Sequence, residues 1–273
     1  MPDVRYEKIG HVAVITLDRP DAGNSLSARV MYEELPAAWD EANGDKGVRC
    51  IVFTASGERF FCTGVDLRDP EMQRRTSELV VSSAEPGGGR AEAAPLRVTG
   101  RQCDVWKPII TAVNGQAIGG GLMFVGDSDI VIASENARFS NTGVSLGLLA
   151  PVGPVVLARK MPFEAVMRML ITGRHEFIDA QRALQLGLVS EVTPPGALLD
   201  TALEVARKVA ENSPAAVEQA VRTMWETLEL PLGEALAASL RRSGSLRGHP
   251  DSLEGPRAWA EKREPQWSDD PAP

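Results

Sequence analysis

Val113-Asn114-Gly115-Gln116-Ala117-Ile118-Gly119-Gly120-Gly121-Leu122-Met123-Phe124 joins an apolar run to a glycine-opened one. The preceding Pro108-Ile109-Ile110-Thr111-Ala112-Val113 is short, mostly apolar and partly β-branched, the composition of a buried strand. Three successive glycines remove every Cβ from one turn, so a ligand atom can touch bare backbone there. Leu122 to Val125 continue as an apolar helix whose first N–H groups lack partners within the helix and carry the positive end of its dipole. Such a turn is either a tight strand-to-helix crossing or a seat for negative charge developing on an oxygen.

Working outward, Arg59-Phe60-Phe61-Cys62-Thr63-Gly64-Val65-Asp66-Leu67 lies upstream and Asp129-Ile130-Val131-Ile132-Ala133-Ser134-Glu135-Asn136-Ala137-Arg138-Phe139 downstream, with Ile15-Thr16-Leu17-Asp18-Arg19-Pro20-Asp21-Ala22-Gly23-Asn24-Ser25-Leu26-Ser27 near the start. In this order and approximate spacing the blocks resemble the crotonase superfamily, also called the enoyl-CoA hydratase/isomerase family. Leu170-Ile171-Thr172-Gly173-Arg174 and Ala183-Leu184-Gln185-Leu186-Gly187-Leu188-Val189 fit as well, so the resemblance runs from about Val4 to Trp267. It implies an α/β fold: a crotonase-type spiral of ββα units with two nearly perpendicular sheets over residues 1–195, a C-terminal helical trimerisation region over 196–267, and a frayed tail over 268–273. It also implies a homotrimer or a dimer of trimers acting on an acyl-CoA thioester, with no permanently bound cofactor, coenzyme A being part of the substrate.

In the family resembled, two backbone N–H groups polarise the thioester carbonyl; carried onto this chain they belong to Val65 and Gly120. Main-chain donors do not depend on side-chain identity, so Val65 serves provided the turn at Gly64 is kept. Thr63, Gly64, Asp66 and Leu67 correspond to positions along the adenine and pantetheine path. Arg19, Arg59 and Arg68 are candidates for the CoA phosphates, because guanidinium suits phosphate geometry.

Hydrating a 2-enoyl thioester takes one carboxylate to activate water and another to deliver a proton at C2. By the resemblance, those positions fall on Met123 and Gly143, and a third, used by dienoyl isomerases, on Pro151; none of the three can take a proton. Asp127, one helical turn beyond Met123, is a substitute acid, and Asp69 and Glu71 at the start of the next loop are others. Asn141-Thr142-Gly143 is similar to the Gln-Thr-Gly of naphthoate synthases, which are thought to recruit bicarbonate, although the Asp those enzymes keep downstream aligns with Ala150. His11, His175 and His249 read as solvated or structural, and no Gly-x-Ser-x-Gly elbow is present. Three functions follow: an enoyl-CoA hydratase or isomerase with a replacement acid or bound water, a non-catalytic acyl-CoA-binding or carrier protein, and a thioester or C–C bond hydrolase using a water held by Asp127.

Composition bounds the rest. With 273 residues and 43% apolar content the chain can build a sizeable core. Lys and Arg number 29 against 37 Asp and Glu, a formal charge of -8, which argues against a nucleic-acid partner. An anionic ligand must then be met by local Arg and backbone N–H groups. Cys50, Cys62 and Cys103 are odd in number and unpatterned, so reduced thiols and no metal site are expected. Met1 to Glu7 opens into a strand pattern, and no run approaches membrane-spanning length. Cytoplasmic residence without a membrane anchor is expected.

The pattern predicts a hairpin turning at Gly10-His11, a helix from Ser27 through Trp39 kinked at Pro36, and a strand over Val48 to Ala55. Asp69 to Gln102 reads as a mobile loop between two short helices that helps wall the acyl pocket. Helices are predicted over 163–170, 179–184, 198–212, 214–228 and 232–246. No internal repeat is apparent.

Overall fold

The computed structural model describes residues 2–75, 96–150 and 152–270. Strands β1 (Val4–Ile9) and β2 (Val12–Leu17) form the predicted hairpin, with Ile9 paired to Val12. Gly10 takes φ +62 at the first turn position, which matches the turn to the twist of the two strands. The helix after Ser27 also forms, and Ser27 Oγ accepts the Val30 N–H at 3.3 Å. Its expected kink is a π turn over Val30–Glu34 leading into α1 (Leu35–Gly44): Leu35 N–H bonds back to the Val30 carbonyl, widening the helix just before Pro36, which has no N–H to give.

Next come β3 (Cys50–Ala55), β4 (Phe60–Cys62), β5 (Ile109–Val113), β6 (Gln116–Ile118), α2 (Gly121–Asp127), β7 (Ile130–Ser134) and β8 (Arg138–Ser140). After α3 (Gly153–Leu157) and α4 (Phe163–Thr172) follow β9 (Ile178–Asp179), α5 (Ala180–Gln185) and β10 (Glu191–Thr193). Successive strand pairs divide between two sheets: β1-β2-β3-β5-β7-β10 in one and β4-β6-β8-β9 in the other. Every pairing is parallel except β1 with β2 and β8 with β9. This is the crotonase spiral of ββα units. The repeat lies in the chain path and not in residue identity, so no sequence repeat accompanies it.

Phe53 of β3 anchors the core between the elements. It stacks on Trp39 of α1 at 5.4 Å and on Phe124 of α2 at 4.5 Å, and meets Phe61 of β4 edge-on at 5.9 Å. A second apolar cluster covers the other face of the larger sheet. There Leu198, Ala202, Leu203 and Ala206 of α6 (Leu198–Ala210) lie over Val14, Val52, Ile110 and Ile132. With both faces covered, β2, β3 and β5 are buried at every position, which explains their unbroken apolar runs. α6 therefore packs with the spiral core although its residues lie beyond position 195.

Three helices follow: α7 (Pro214–Thr227), α8 (Leu232–Ser245) and α9 (Asp251–Glu261). The last was not predicted, because Gly255 and Pro256 lie inside it. The chain end docks there, the Trp267 ring lying so close that a Cβ at Gly255 would meet it at 3.3 Å. The tail expected to fray is accordingly held through Asp270: Ser268 N–H donates to Asp251 at 2.8 Å, and Asp269 pairs with Arg49 at 3.3 Å. Residues 271–273 lie outside the described residues. So does most of the predicted mobile loop, residues 76–95; its far end is anchored by the Trp39 indole donating to the Val98 carbonyl at 2.9 Å.

Candidate active site

Strands β4 and β6 are parallel neighbours, so the turns that follow them, at residues 63–66 and 119–120, leave the sheet on the same side. The turns meet at bare backbone. Gly64 has φ +86, and a Cβ on it would lie 2.7 Å from the Gly120 nitrogen. A Cβ on Gly121 would collide with the Cys62 carbonyl, and one on Gly120 would stand 3.4 Å from the Val65 nitrogen. Gly120 and Gly121 are thus required by the protein's own close crossing, which brings the Val65 and Gly120 amides side by side, and Gly119 by its φ of +54.

Neighbouring hydrogen bonds set the direction of these amides. Leu26 N–H donates to Gly64 at 2.8 Å and Leu26 accepts from Asp66 N–H at 2.9 Å, so the groups flanking Val65 face Leu26 and the Val65 N–H faces away. Gly119 N–H donates to Ser140 at 3.0 Å, while Leu122 and Met123 N–H turn back to Gly119 and Gly120. Among the described residues, neither the Val65 nor the Gly120 N–H donates to a protein acceptor. Both residues line a cavity of about 260 Å³.

The cavity walls are mainly apolar. Met31, Leu67, Leu96, Met123, Leu146, Leu148, Leu149 and Val152 line it, with Thr63, Asn141, Thr142 and Gly143. Met123 and Gly143 are thus both at the cavity. The described lining contains no Asp, Glu, His, Lys or Arg. Asn141 is fully buried; its Oδ1 accepts the Gly143 N–H at 3.1 Å, and among the described residues its Nδ2 has no partner. The leucines at 146, 148 and 149 escaped the sequence reading because their segment has neither helical nor strand period; an apolar run in an aperiodic stretch was the available signal.

The substitute acids point elsewhere, and here the sequence expectation is corrected. Asp127, at the last residue of α2, accepts the Arg101 N–H at 2.8 Å from the 96–105 segment and does not line the cavity. Burial raises its pKa, but away from the cavity that proton has no substrate to meet. Asp69 accepts the Ala28 and Glu71 N–H groups at 2.8 and 2.9 Å, which hold its carboxyl below the usual range. Glu71 is bound by Arg74 and Arg75 and is pushed down to about 2. Pro151 lies outside the described residues. His11, His175 and His249 are all away from the cavity lining.

An outer groove of about 560 Å³ shares Thr63, Val65 and Leu67 with the cavity and is also lined by Asp66 and Arg68. The three arginines fare differently. Arg19 is engaged by Asp66 at 3.4 Å, Asp3 at 3.5 Å and the Ser25 carbonyl at 2.9 Å, and Arg59 lies over the Phe60 ring at 4.7 Å; neither lines the groove. Arg68 does, and among the described residues its guanidinium has no ionic partner. Asp66 is itself spent on Ser25 Oγ at 3.0 Å and on Arg19, and Thr63 Oγ1 donates to Gly23 at 3.1 Å. All three cysteines are buried free thiols. Among the described residues no cluster of His, Cys, Asp and Glu is arranged to hold a metal, and no helix is long and apolar enough to cross a membrane.

A spiral of ββα units with two main-chain amides open on one cavity defines the class, and comparison with known proteins agrees. The chain belongs to the enoyl-CoA hydratase/isomerase family, whose model matches residues 7–270. It is 34% identical over 267 residues to the enoyl-CoA hydratase EchA19 of Mycobacterium tuberculosis, covering 97% of this chain and 96% of that one. It is 36% identical over 264 residues to the (E)-benzylidenesuccinyl-CoA hydratase of Thauera aromatica, covering 96% and 97%. A crystal structure of an enoyl-CoA hydratase/isomerase from Mycobacterium paratuberculosis superposes with a TM-score of 0.84 at 39% identity, over 98% of this chain and 99% of that one.

Proposed function

We propose that this protein is a hydratase-class enzyme acting on CoA thioesters, with the thioester oxygen held by the Val65 and Gly120 N–H groups and the CoA moiety lying along the groove at Thr63, Leu67 and Arg68. The single observation that carries this reading is the pair of adjacent main-chain donors that have no protein acceptor among the described residues, at the edge of an apolar cavity. Donors aimed at a developing oxyanion contribute roughly 3–4 kcal/mol each in comparable sites. Hydration adds the oxygen of water to C3 and a proton to C2 of the enoyl group. With Met123 and Gly143 where the family's carboxylates stand, the water gives up its proton to solvent and the enolate held by the two amides takes its proton from solvent. No permanently bound cofactor enters the scheme.

A second reading, an acyl-CoA-binding protein without turnover, is favoured by the lack of any titratable side chain in the described lining. The Asp127 hydrolase reading loses its support, since that carboxyl faces Arg101. Two measurements separate the readings: loss of the conjugated enoyl thioester absorbance for a range of enoyl-CoAs, and calorimetric titration with saturated acyl-CoAs. Turnover above the uncatalysed rate supports the enzyme. Binding without turnover leaves the carrier, and absence of CoA thioester binding ends both.

We further propose that copies of the chain associate through the C-terminal helices. α8 buries none of its residues, and Leu232, Leu236 and Leu240, spaced by four, form one exposed apolar stripe.

A further inference from the structure

Asn141 follows strand β8 as Gly119 follows β6, and the Gly119 N–H donating to the Ser140 carbonyl at 3.0 Å holds these parallel strands together up to their ends. Residues 141–143 therefore reach the cavity beside Gly119 and Gly120, at about the 4.8 Å spacing of neighbouring strands, and all three line it. The Asn141 side chain is held by its own turn, Oδ1 accepting the Gly143 N–H at 3.1 Å. Since that N–H can only donate, the orientation of the amide is settled and Nδ2 is the atom left over. Among the described residues, Nδ2 is the one buried side-chain polar atom without a partner that belongs to the cavity lining. A buried donor is satisfied in nearly every folded protein, so one left open at a cavity calls for an acceptor from outside the chain. The other polar side chains of the lining do not share this position. Thr63 Oγ1 donates to Gly23 at 3.1 Å, and Thr142 is half-buried, where water serves its hydroxyl. The acceptor is a neutral oxygen, because the described lining has no charged side chain and one amide donor does not replace the lost hydration of a carboxylate.

Resting on the thioester reading above, we infer that Asn141 is a specificity-determining residue whose Nδ2 donates to a neutral oxygen on C3 of the acyl group, the oxygen that hydration adds there. With the thioester oxygen at Val65 and Gly120, C3 is one carbon removed from the carbonyl's neighbour, so its oxygen falls toward the adjoining turn at Asn141. A carboxamide neither takes nor releases a proton at neutral pH. Asn141 therefore holds this oxygen and leaves proton exchange to solvent.

The test is calorimetric titration of the protein at pH 7 with butanoyl-CoA and 3-oxobutanoyl-CoA, which differ in an oxygen on C3 and which the proposed hydration cannot consume. The readout is thus independent of turnover. Asn141→Asp keeps an acceptor for the Gly143 N–H and puts an oxygen in place of the donor, whereas Asn141→Leu removes both. The parent should bind 3-oxobutanoyl-CoA about tenfold tighter than butanoyl-CoA, the effect of one buried hydrogen bond. Both variants should bring the two affinities to within about twofold of each other, a ratio that a merely structural role for Asn141 would not move. The inference is overturned, and the thioester reading left intact, by a parent that binds the two thioesters within twofold, by a variant that keeps the tenfold preference, or by two variants that bind neither. A parent that binds neither thioester overturns both.

Discussion

Gly64 is under two constraints at once: its φ of +86 disfavours any side chain, and a Cβ there would press on the Gly120 nitrogen at 2.7 Å. Gly64→Ala should therefore cost about 1–3 kcal/mol of stability and, by displacing one of the two amides, lower turnover by roughly 10²–10³-fold. Denaturant melts and kcat/KM measure the two effects separately; a folded variant retaining parental turnover would detach the amides from the reaction. Met123→Glu tests the other half of the proposal, since it places a carboxyl on the cavity wall beside them. Burial raises such a carboxyl's pKa, so the expected outcome is hydration at least tenfold faster than the parent, increasing with pH as the group ionises. Gly143→Glu is the poorer choice, because even a Cβ there meets the Leu148 carbonyl at 3.0 Å. At this scale the two amides were assigned by the family resemblance, and the glycines at 64, 120 and 121 are what permits the crossing at which they lie. The direction of Asp127 was not legible: its spacing from Met123 suggested the cavity, but its direction is set by Arg101, a residue 26 positions away.

Helix α2 has its N-terminus at the proposed oxyanion site and its other end in a buried charged cluster. Lys160 Nζ donates to the Val125 carbonyl at 3.2 Å and to that of Ser128, and lies 5.7 Å from the centre of the Trp225 ring. The adjoining Asp129 pairs with Arg101 at 2.6 Å and accepts the Trp225 indole N–H at 2.7 Å. Burial pushes Lys160 down from 10.5 to about 8. Between those values the unfolded chain binds more protons than the folded one, so this group makes the protein more stable as pH rises. The buried thiols act in the opposite sense above pH 9, because Cys50 and Cys62 are raised from 9.0 to about 12 and ionise first in the unfolded chain. The clean window is thus pH 8 to 9. Lys160→Met should lose the upward slope in that window and, by leaving two carbonyls without their donor, fall by about 1–3 kcal/mol at neutral pH. Urea midpoints across the window test this; parallel curves for parent and variant would count against it. None of this cluster was read from the sequence, since its members come from segments far apart in the chain.

For the whole molecule, the apolar stripe on α8 predicts that the parent sediments as a multiple of the monomer mass and that Leu236→Asp shifts it toward the monomer. Multi-angle light scattering distinguishes the two, and a monomeric parent would remove the stripe's assigned role. The three thiols give an independent check on burial. In the native protein none should react with a thiol reagent at pH 8, whereas all three should react after denaturation.

By itself the sequence determined the hairpin, the apolar strands and most of the helices, because these depend on local properties such as β-branched runs and helix starts, while its motifs carried the resemblance that implied the spiral and assigned the two amides to Val65 and Gly120. Only the tertiary structure decided which side chains face the cavity, how the chain end docks on α9, and that Asp127, Arg19 and Arg59 are engaged elsewhere. Those outcomes depend on contacts between residues distant in the chain, and neither spacing nor periodicity encodes the direction in which a side chain finally points.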